Sequence, residues 1–205
     1  MTPANLIPRF SQYSKIPNRI QQIIKQTIRN PPTIPSYLNY DNPSISFRNQ
    51  ISSYNNNHII SKYKNVDKVS LNRYFKNYQN TRESWRCVPF TQKKEIFLNA
   101  AHLLETKYYD KMLAYTILSQ NKSVYEAEID AVCELVDFLR YNVYYAEQIM
   151  AKQPVQTDNI VNVSEYNPFN GFVAAITPFN FTAIGGNLAT APLLFGNSVL
   201  WKPSD

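Results

Sequence analysis

Apolar positions recur at helical spacing over most of the chain and give way to short continuous apolar runs near its end. The clearest helix begins at a capping box, Ser123 to Glu126, and is expected to end at Gln153-Pro154. Its apolar residues alternate at intervals of three and four: Ile129, Val132, Val136, Leu139, Val143, Ala146 and Met150. This stripe predicts a face that packs against neighbouring helices, although a coiled coil would show a similar spacing.

Three further helices are predicted upstream of this one. They cover Asp67 to Trp85, a segment that begins at Thr91, and Glu105 to Leu118. Residues 33–66 are instead rich in Ser, Asn, Tyr and Pro and show no sustained period. We therefore expect residues 41–66 to be a poorly specified linker.

The last 35 residues predict a strand, a helix and a second strand, which is one parallel βαβ unit. Residues 171–176 and 197–201 are the two apolar runs, and both suit strands that are buried on both faces. Residues 160–163 could form one more strand. The predicted fold class is α/β, with a helical layer followed by a parallel βαβ unit. Ligands of parallel sheets bind beyond the carboxyl ends of the strands, which here are residues 177–180 and 202–205.

These two strand ends resemble the aldehyde dehydrogenase superfamily. The family's Pro-aromatic-Asn-Phe loop reads here Pro178-Phe179-Asn180-Phe181, and its Lys-Pro-Ser-acid strand end reads Lys202-Pro203-Ser204-Asp205. The longer strings FVAAITPFNFTAIGGNLATAP, QKKEIFLNAAHLL and AEIDAVCELVDFLRYNVYYA are similar to one branch, which oxidises L-glutamate γ-semialdehyde to L-glutamate in proline breakdown. The resemblance implies that residues 67–205 are part of an NAD-binding domain, with the catalytic domain absent from these residues.

The resemblance also implies roles for individual residues. Asn180 is expected to help form the oxyanion hole, and Phe181 to form a wall of the aldehyde pocket. The residues expected to bind the cofactor NAD are Thr177, Pro178, Phe179, Lys202, Ser204 and Asp205. A carboxylate at Asp205 would favour NAD over NADP, because it accepts ribose hydroxyls and repels a 2′-phosphate.

Each of these roles has a plainer alternative. Asn180 precedes a predicted helix and could serve only as its N-cap. Phe181 could be an ordinary core aromatic, and Asp205 could be a helix cap or simply exposed. Glu134 could face the substrate vestibule or lie on the solvated side of its helix.

The net charge of +6 does not indicate a nucleic-acid-binding protein, because the basic excess is concentrated at the amino terminus. Residues 1–40 contain five Lys and Arg residues and no acid before Asp41, with Ile20, Ile23, Ile24 and Ile28 at helical spacing. That composition predicts a mitochondrial transit peptide and a matrix location, and a disordered basic tail is the alternative. No apolar run is long enough to span a membrane.

The sequence predicts an incomplete catalytic apparatus. Cys87 and Cys133 are the only cysteines, form no metal or disulfide pattern, and are both expected to be core thiols. We expect an aldehyde as the small-molecule substrate and a homo-oligomer for a full-length family member. Without the nucleophilic cysteine, these 205 residues alone are expected to be inactive. The alternatives are a truncated inactive chain and a generic nucleotide-binding domain.

Overall fold

The computed structural model describes residues 1–35 and 45–204, in which helices predominate. The helices are α1 (Asn18–Arg29), α2 (Lys68–Arg86), α3 (Phe90–Glu105), α4 (Tyr109–Gln120), α5 (Val124–Glu128), α6 (Leu135–Ala151) and α7 (Thr182–Leu194). The strands are β1 (Thr33–Ile34), β2 (Arg48–Ile51), β3 (Ile59–Tyr63), β4 (Phe172–Ile176) and β5 (Ser198–Lys202). The predicted α/β class and the predicted helices are confirmed, although α4 begins four residues later than expected. No helix in the described ranges is long and apolar enough to cross a membrane.

The apolar stripe of α6 lies at the centre of the helical layer. Its buried residues Val136, Leu139 and Val143 belong to one core cluster, and α6 packs against both α3 and α7. The stripe therefore packs inside this layer, as predicted. The capping box is also present, since the Glu126 backbone N–H donates to Ser123 Oγ and the Ser123 N–H donates to the Glu126 carboxylate at 2.9 Å.

A π-helical segment, Ile129–Glu134, joins α5 to α6 and was not predicted. Each turn of such a segment holds one more residue than an α-helical turn, and single π turns often occur at functional sites. Four consecutive residues, from Asp130 to Cys133, are buried here because α3, α4 and α7 all pack against the segment. The acidic side chain of Asp130 is thereby placed inside the helical layer.

The predicted βαβ unit is confirmed. Strands β4 and β5 are parallel, in register from Phe172 opposite Ser198 to Ile176 opposite Lys202, with α7 as the crossover. The expectation that both faces are buried is wrong for the described residues: Ile176 is 75% exposed and Trp201 48%. In the part of the chain that the structure describes, α7 and α2 pack on this strand pair and leave these side chains uncovered.

One of two adjacent glycines, Gly186, lets α7 approach α6 closely. A Cβ at Gly186 would lie 2.6 Å from Leu135 Cδ1 of α6, well inside van der Waals contact. At Gly185 a Cβ would lie 3.8 Å from Thr177 Oγ1, directly after β4. The close approach therefore requires a glycine at Gly186, whereas a Cβ at Gly185 would make an ordinary contact.

The basic amino terminus is folded onto the helical layer. Ile20 of α1 is fully buried in the core cluster, so the disordered-tail alternative is wrong for this helix. Residues 2–10, the amino-terminal segment, run along α5 and α6. The Leu6 N–H donates to Asp137 Oδ1 at 2.9 Å, and Tyr141 Oη donates to the Pro3 carbonyl at 2.7 Å. The transit peptide stays a prediction, and its cleavage would remove part of this core.

A change of pH tests the contact between Asp137 and the amino-terminal segment. Burial raises the pKa of the Asp137 carboxyl above 3.8, although the Leu6 N–H and Arg140 act in the opposite direction. The folded protein therefore binds this proton more tightly than the unfolded chain does. The resulting stability is fully present below pH 3.8 and is lost as the pH rises through the raised pKa. The free energy of unfolding of Asp137→Asn, relative to the wild type, should therefore increase from about pH 3.5 to about pH 7.

Glu126→Gln is the matched control, with the opposite sign. The Ser123 hydroxyl and then the Ser123 N–H lower the pKa of the Glu126 carboxyl below 4.5. That contribution is present above pH 4.5 and is lost as the pH falls through the lowered pKa, so this variant should weaken relative to the wild type as the pH rises. Urea unfolding at several pH values measures both. If the free energies of unfolding of the two variants, relative to the wild type, changed in the same direction with pH, the opposite directions of the two pKa shifts would be contradicted.

The expected linker contains a small sheet. Strand β3 pairs parallel with β1 and antiparallel with β2, and Ser52 Oγ donates to the Leu118 carbonyl at 3.0 Å. The linker prediction is wrong for residues 48–63, while residues 41–44 lie outside the described residues. These strands are largely polar and part-exposed, and backbone pairing rather than an alternating apolar pattern defines them.

Residues 160–163 do not form the predicted strand. Ile160, Val161 and Val163 are all more than half exposed, and this stretch has only an isolated bridge between Thr157 and Ile160. The Gln156 side chain bonds both the N–H and the carbonyl of Asn162. The backbone of Asn162 is thus bonded by a side chain and not by a neighbouring strand. No described strand pairs with the β-branched residues of this stretch.

Candidate functional site

The two predicted ligand loops begin side by side at the carboxyl end of the strand pair. Ile176 is the register partner of Lys202, and the Thr177 N–H donates to the Lys202 carbonyl at 3.2 Å. Residues 177–181 and 203–204 therefore leave the sheet next to each other. This edge is the position at which parallel sheets bind ligands.

The loop at residues 177–181 is fixed at both ends and exposed between them. At one end Thr177 is buried, with Gly185 of α7 beside it. At the other end Thr182 Oγ1 accepts a hydrogen bond of 2.8 Å from Gln120 Nε2 of α4. Phe179 is 72% exposed at the tip. The structure thus presents the loop's middle residues on a well-anchored backbone.

The side chain of Asn180 does not cap α7. It is exposed and makes no hydrogen bond to any residue in the described ranges. Asp130 provides the cap instead: the Thr182 N–H donates to its Oδ2 at 3.0 Å and the Ala183 N–H to its Oδ1 at 3.2 Å. The N-cap alternative for Asn180 is therefore wrong, and its amide is free to bind a ligand.

Lys122 connects this cap to the loop. Its Nζ donates to Asp130 Oδ2 and to the Asn180 carbonyl, both at 2.8 Å, and lies 5.0 Å from the centroid of the Phe181 ring. The sequence analysis missed both Lys122 and Asp130. Little in the sequence indicates their role, because they lie more than 40 residues upstream of the loop and are brought to it only by folding.

Phe181 and Glu134 lie at the margin of the site. Phe181 is 43% exposed, so it is not the fully buried core aromatic of the plainer alternative. Glu134 is exposed, yet partial burial and then the nearby Asp130 raise the pKa of its carboxyl, against the opposing effect of Lys122. Its place in a substrate vestibule stays a prediction.

The remaining predicted cofactor residues follow β5. Lys202 is exposed and Ser204 is half-buried, while Pro178 on the neighbouring loop is also half-buried. Asp205 lies outside the described residues. The structure therefore gathers the predicted residues from Thr177 to Phe181 with Lys202 and Ser204 at one edge of the sheet.

The two thiols differ from each other. Cys133 is buried, and burial, reinforced by Glu128 and Asp137, raises the pKa of its thiol to about 12. It stays protonated near neutral pH and is a poor nucleophile. Cys87 is exposed at the end of α2, so the prediction that it is a core thiol is wrong. The residue was misjudged because the adjoining Val88 and Pro89 leave the helix.

Comparison with known proteins places this geometry in a family. Residues 44–205 match the family model described as the aldehyde dehydrogenase family. The chain belongs to the aldehyde dehydrogenase family. The family resemblance of the two strand-end loops is thereby confirmed.

Relatives within the aldehyde dehydrogenase family carry one recurring name. A probable delta-1-pyrroline-5-carboxylate dehydrogenase of Schizosaccharomyces pombe is 54% identical over 125 residues, which are 60% of this chain and 23% of the relative. The mitochondrial delta-1-pyrroline-5-carboxylate dehydrogenase of Mus musculus is 40% identical over 197 residues, which are 96% of this chain and 35% of the relative.

A solved structure extends the likeness to the fold. The delta-pyrroline-5-carboxylate dehydrogenase of Mycobacterium tuberculosis, bound with NAD and cobalamin, superposes with a TM-score of 0.91 at 36% identity. The alignment covers 100% of this chain and 39% of that one. The chain therefore spans between 23% and 39% of the length of these three aldehyde dehydrogenase relatives.

Proposed function

We propose that these residues form part of an enzyme that oxidises L-glutamate γ-semialdehyde to L-glutamate with NAD, in proline degradation. The family and the shared name of its relatives support the reaction class and the substrate. The observation that carries the proposal is the amide of Asn180. It is exposed at the carboxyl end of β4, on an anchored loop, and is not used by the helix that follows it.

Asn180 has the chemistry of an oxyanion donor. When a thiolate attacks the aldehyde carbon, a carbon–sulfur bond forms and the π electrons of the carbonyl move to oxygen. An N–H of the Asn180 side chain would donate to that oxygen. Fixed donors of this kind stabilise the developing charge without reorganising during the reaction.

The side chains of the two loops have a chemistry that suits NAD. Lys202 brings a cation to the end of β5, and Ile176 and Phe179 expose apolar surface beside it. We assign cofactor binding to Thr177, Pro178, Phe179, Lys202 and Ser204, with Asp205 favouring NAD over NADP. When bound, NAD supplies the hydride acceptor for the oxidation.

The nucleophile is proposed to come from polypeptide outside these 205 residues. Cys133 is buried and protonated, and Cys87 follows Arg86, whose Cα lies beside Gly196 before the amino end of β5, at the opposite end of that strand from the candidate site. On this proposal residues 67–205 are part of the NAD-binding domain, and a homo-oligomer is expected for the complete protein. A truncated inactive chain and a generic nucleotide-binding domain are the competing proposals.

A mitochondrial matrix location is proposed on two grounds. The murine relative is named mitochondrial, and the amino terminus is basic and free of acids before Asp41. Fusion of residues 1–40 to a fluorescent protein tests the segment directly. Import of the fusion would support the location, and a uniformly cytosolic signal would contradict it.

The enzyme proposal is tested with two proteins. One is the protein translated from the complete transcript of the gene, called here the full transcript product, and the other is the 205-residue chain. We expect NADH formation from glutamate γ-semialdehyde by the first, and NAD binding without turnover by the second. NADP and a short unbranched aldehyde serve as controls for cofactor and substrate. If the transcript product forms no NADH, the proposal fails, and turnover by the 205-residue chain would contradict the external nucleophile.

A further inference from the structure

We propose that Lys122 and Asp130 are a positioning pair for this reaction, holding the loop so that the Asn180 amide stays clear of α7 and available to the aldehyde oxygen. The inference rests on the proposed function. It assigns no chemical step to either residue. The pair acts through α7 and through the backbone of Asn180.

Asp130 takes over the capping position that the loop would otherwise fill. Its carboxylate accepts from the Thr182 N–H, the Ala183 N–H and Lys122 Nζ, and only 5% of the residue is exposed. A carboxylate is favoured at a helix amino terminus, where unpaired N–H groups carry partial positive charge. The first turn of α7 is thus satisfied from another helix.

Without that carboxylate, Asn180 itself is the nearest capping side chain. Asparagine is among the preferred N-cap residues, and it lies two positions before the first residue of α7. Extending α7 by one residue would turn the amide oxygen of Asn180 towards the helix. The amide would then be unavailable to the aldehyde oxygen, so the distant carboxylate affects the proposed reaction.

Lys122 fixes the backbone of the loop at Asn180. One ammonium group bonds Asp130 and the Asn180 carbonyl and also lies over the Phe181 ring. The lysine and aspartate side chains are only 18% and 7% exposed, so the pair is shielded from water and salt. It therefore sets the backbone orientation from which the Asn180 side chain projects.

The π-helical segment explains how Asp130 reaches this place. The extra residue in the turn after α5 allows four successive residues to be buried while the segment packs against α7. An apolar stripe alone would not bring a carboxylate to the amino terminus of α7. The segment thus connects the longest predicted helix to the candidate site.

A double-mutant cycle tests the inference on the product of the full transcript. Asp130→Asn should lower kcat by about 10- to 100-fold, since it weakens several hydrogen bonds to a charged acceptor. In an Asn180→Ala background the same change should cost less than about 3-fold, because the amide it positions is already gone. KM for NAD should change less than kcat in both backgrounds, because Thr177 is held separately by the Lys202 carbonyl.

A second variant covers the case in which Asp130→Asn does not fold. Lys122→Met leaves the carboxylate in place and should show the same non-additivity with Asn180→Ala, while Lys122→Arg should restore most of the rate. Lys94→Met removes a more exposed ion pair of similar length, with Glu147 at 2.6 Å, and is expected to leave kcat unchanged. If the fold-losses in kcat of the single variants simply multiply in the double variants, the inference is overturned.

Amide hydrogen exchange separates this inference from the proposed function. The Thr182 and Ala183 amides should exchange at least about 10-fold faster in Asp130→Asn than in the wild type. If the wild type oxidises no aldehyde, the proposed function falls, and this exchange still decides whether Asp130 caps α7. Unchanged exchange at both amides would overturn the capping role, whatever the activity.

Discussion

Asn180→Ala is expected to lower kcat for glutamate γ-semialdehyde oxidation by about 10²- to 10³-fold, the usual cost of losing one oxyanion donor. The amide makes no hydrogen bond within the described residues, so the mutation should leave the fold and its stability nearly unchanged. KM for the aldehyde should change much less than kcat, because the donor acts mainly on charge that develops in the transition state. Steady-state kinetics of the full transcript product provide the measurement.

Asn187→Ala is the matched control for Asn180. Asn187 lies within α7, the helix that follows Asn180, and its side-chain oxygen accepts a hydrogen bond from Asn142 Nδ2 at 2.8 Å. Its loss should lower stability by about 1 kcal/mol and leave kcat within a few-fold of the wild type. Equal kinetic losses in the two variants would mean that Asn180 has no special role in the oxidation.

Glu128→Ala is expected to cost about 3–5 kcal/mol of unfolding free energy, the largest stability effect we predict. The Glu128 side chain is fully buried and accepts from the Arg9 N–H at 2.5 Å, the Phe10 N–H at 2.8 Å and the Tyr109 hydroxyl. Removing the carboxylate leaves these donors unpaired and creates a cavity. Urea unfolding should show the loss, and trypsin should cleave after Arg9 more readily.

Glu147→Gln provides the control for the charge. Glu147 pairs with Lys94 at the surface, where both side chains are more than a third exposed, and the change should cost less than about 1 kcal/mol. A chain that begins at residue 11 removes the donors Arg9 and Phe10, keeps α1, and should lose stability like Glu128→Ala. If that chain is as stable as the complete one, the amino-terminal segment contributes nothing to the fold.

The features predicted from the sequence were those with strong local signals. The capping box at Ser123, the three-and-four stripe that follows it and the paired strands of the βαβ unit each depend on neighbouring residues. Local patterns of this kind survive folding because burial reinforces them. The helical layer and the position of the ligand loops could therefore be inferred without the structure.

The features that were missed depend on contacts between distant residues. The helix cap was a plausible alternative for Asn180 because a sequence shows only the nearest capping side chain, whereas the cap that was missed, Asp130, reaches α7 from 52 positions upstream. The small sheet around Ile60 is built from largely polar strands, so no alternation marked it. Ile160 and its neighbours had strand composition but no partner among the described strands.

The order of synthesis gives the amino-terminal segment two successive environments. Its anchor Glu128 is translated 119 residues after Arg9, which takes about 6–24 s at 5–20 residues per second. During that interval the amino-terminal segment has no Glu128 to bind, and for most of it α1 lacks Asp110, the ion-pair partner of Arg19. A receptor that binds basic amphipathic helices would meet no competition until the helical layer forms. The same residues can thus act as a targeting signal on the nascent chain and as a structural component of the folded protein.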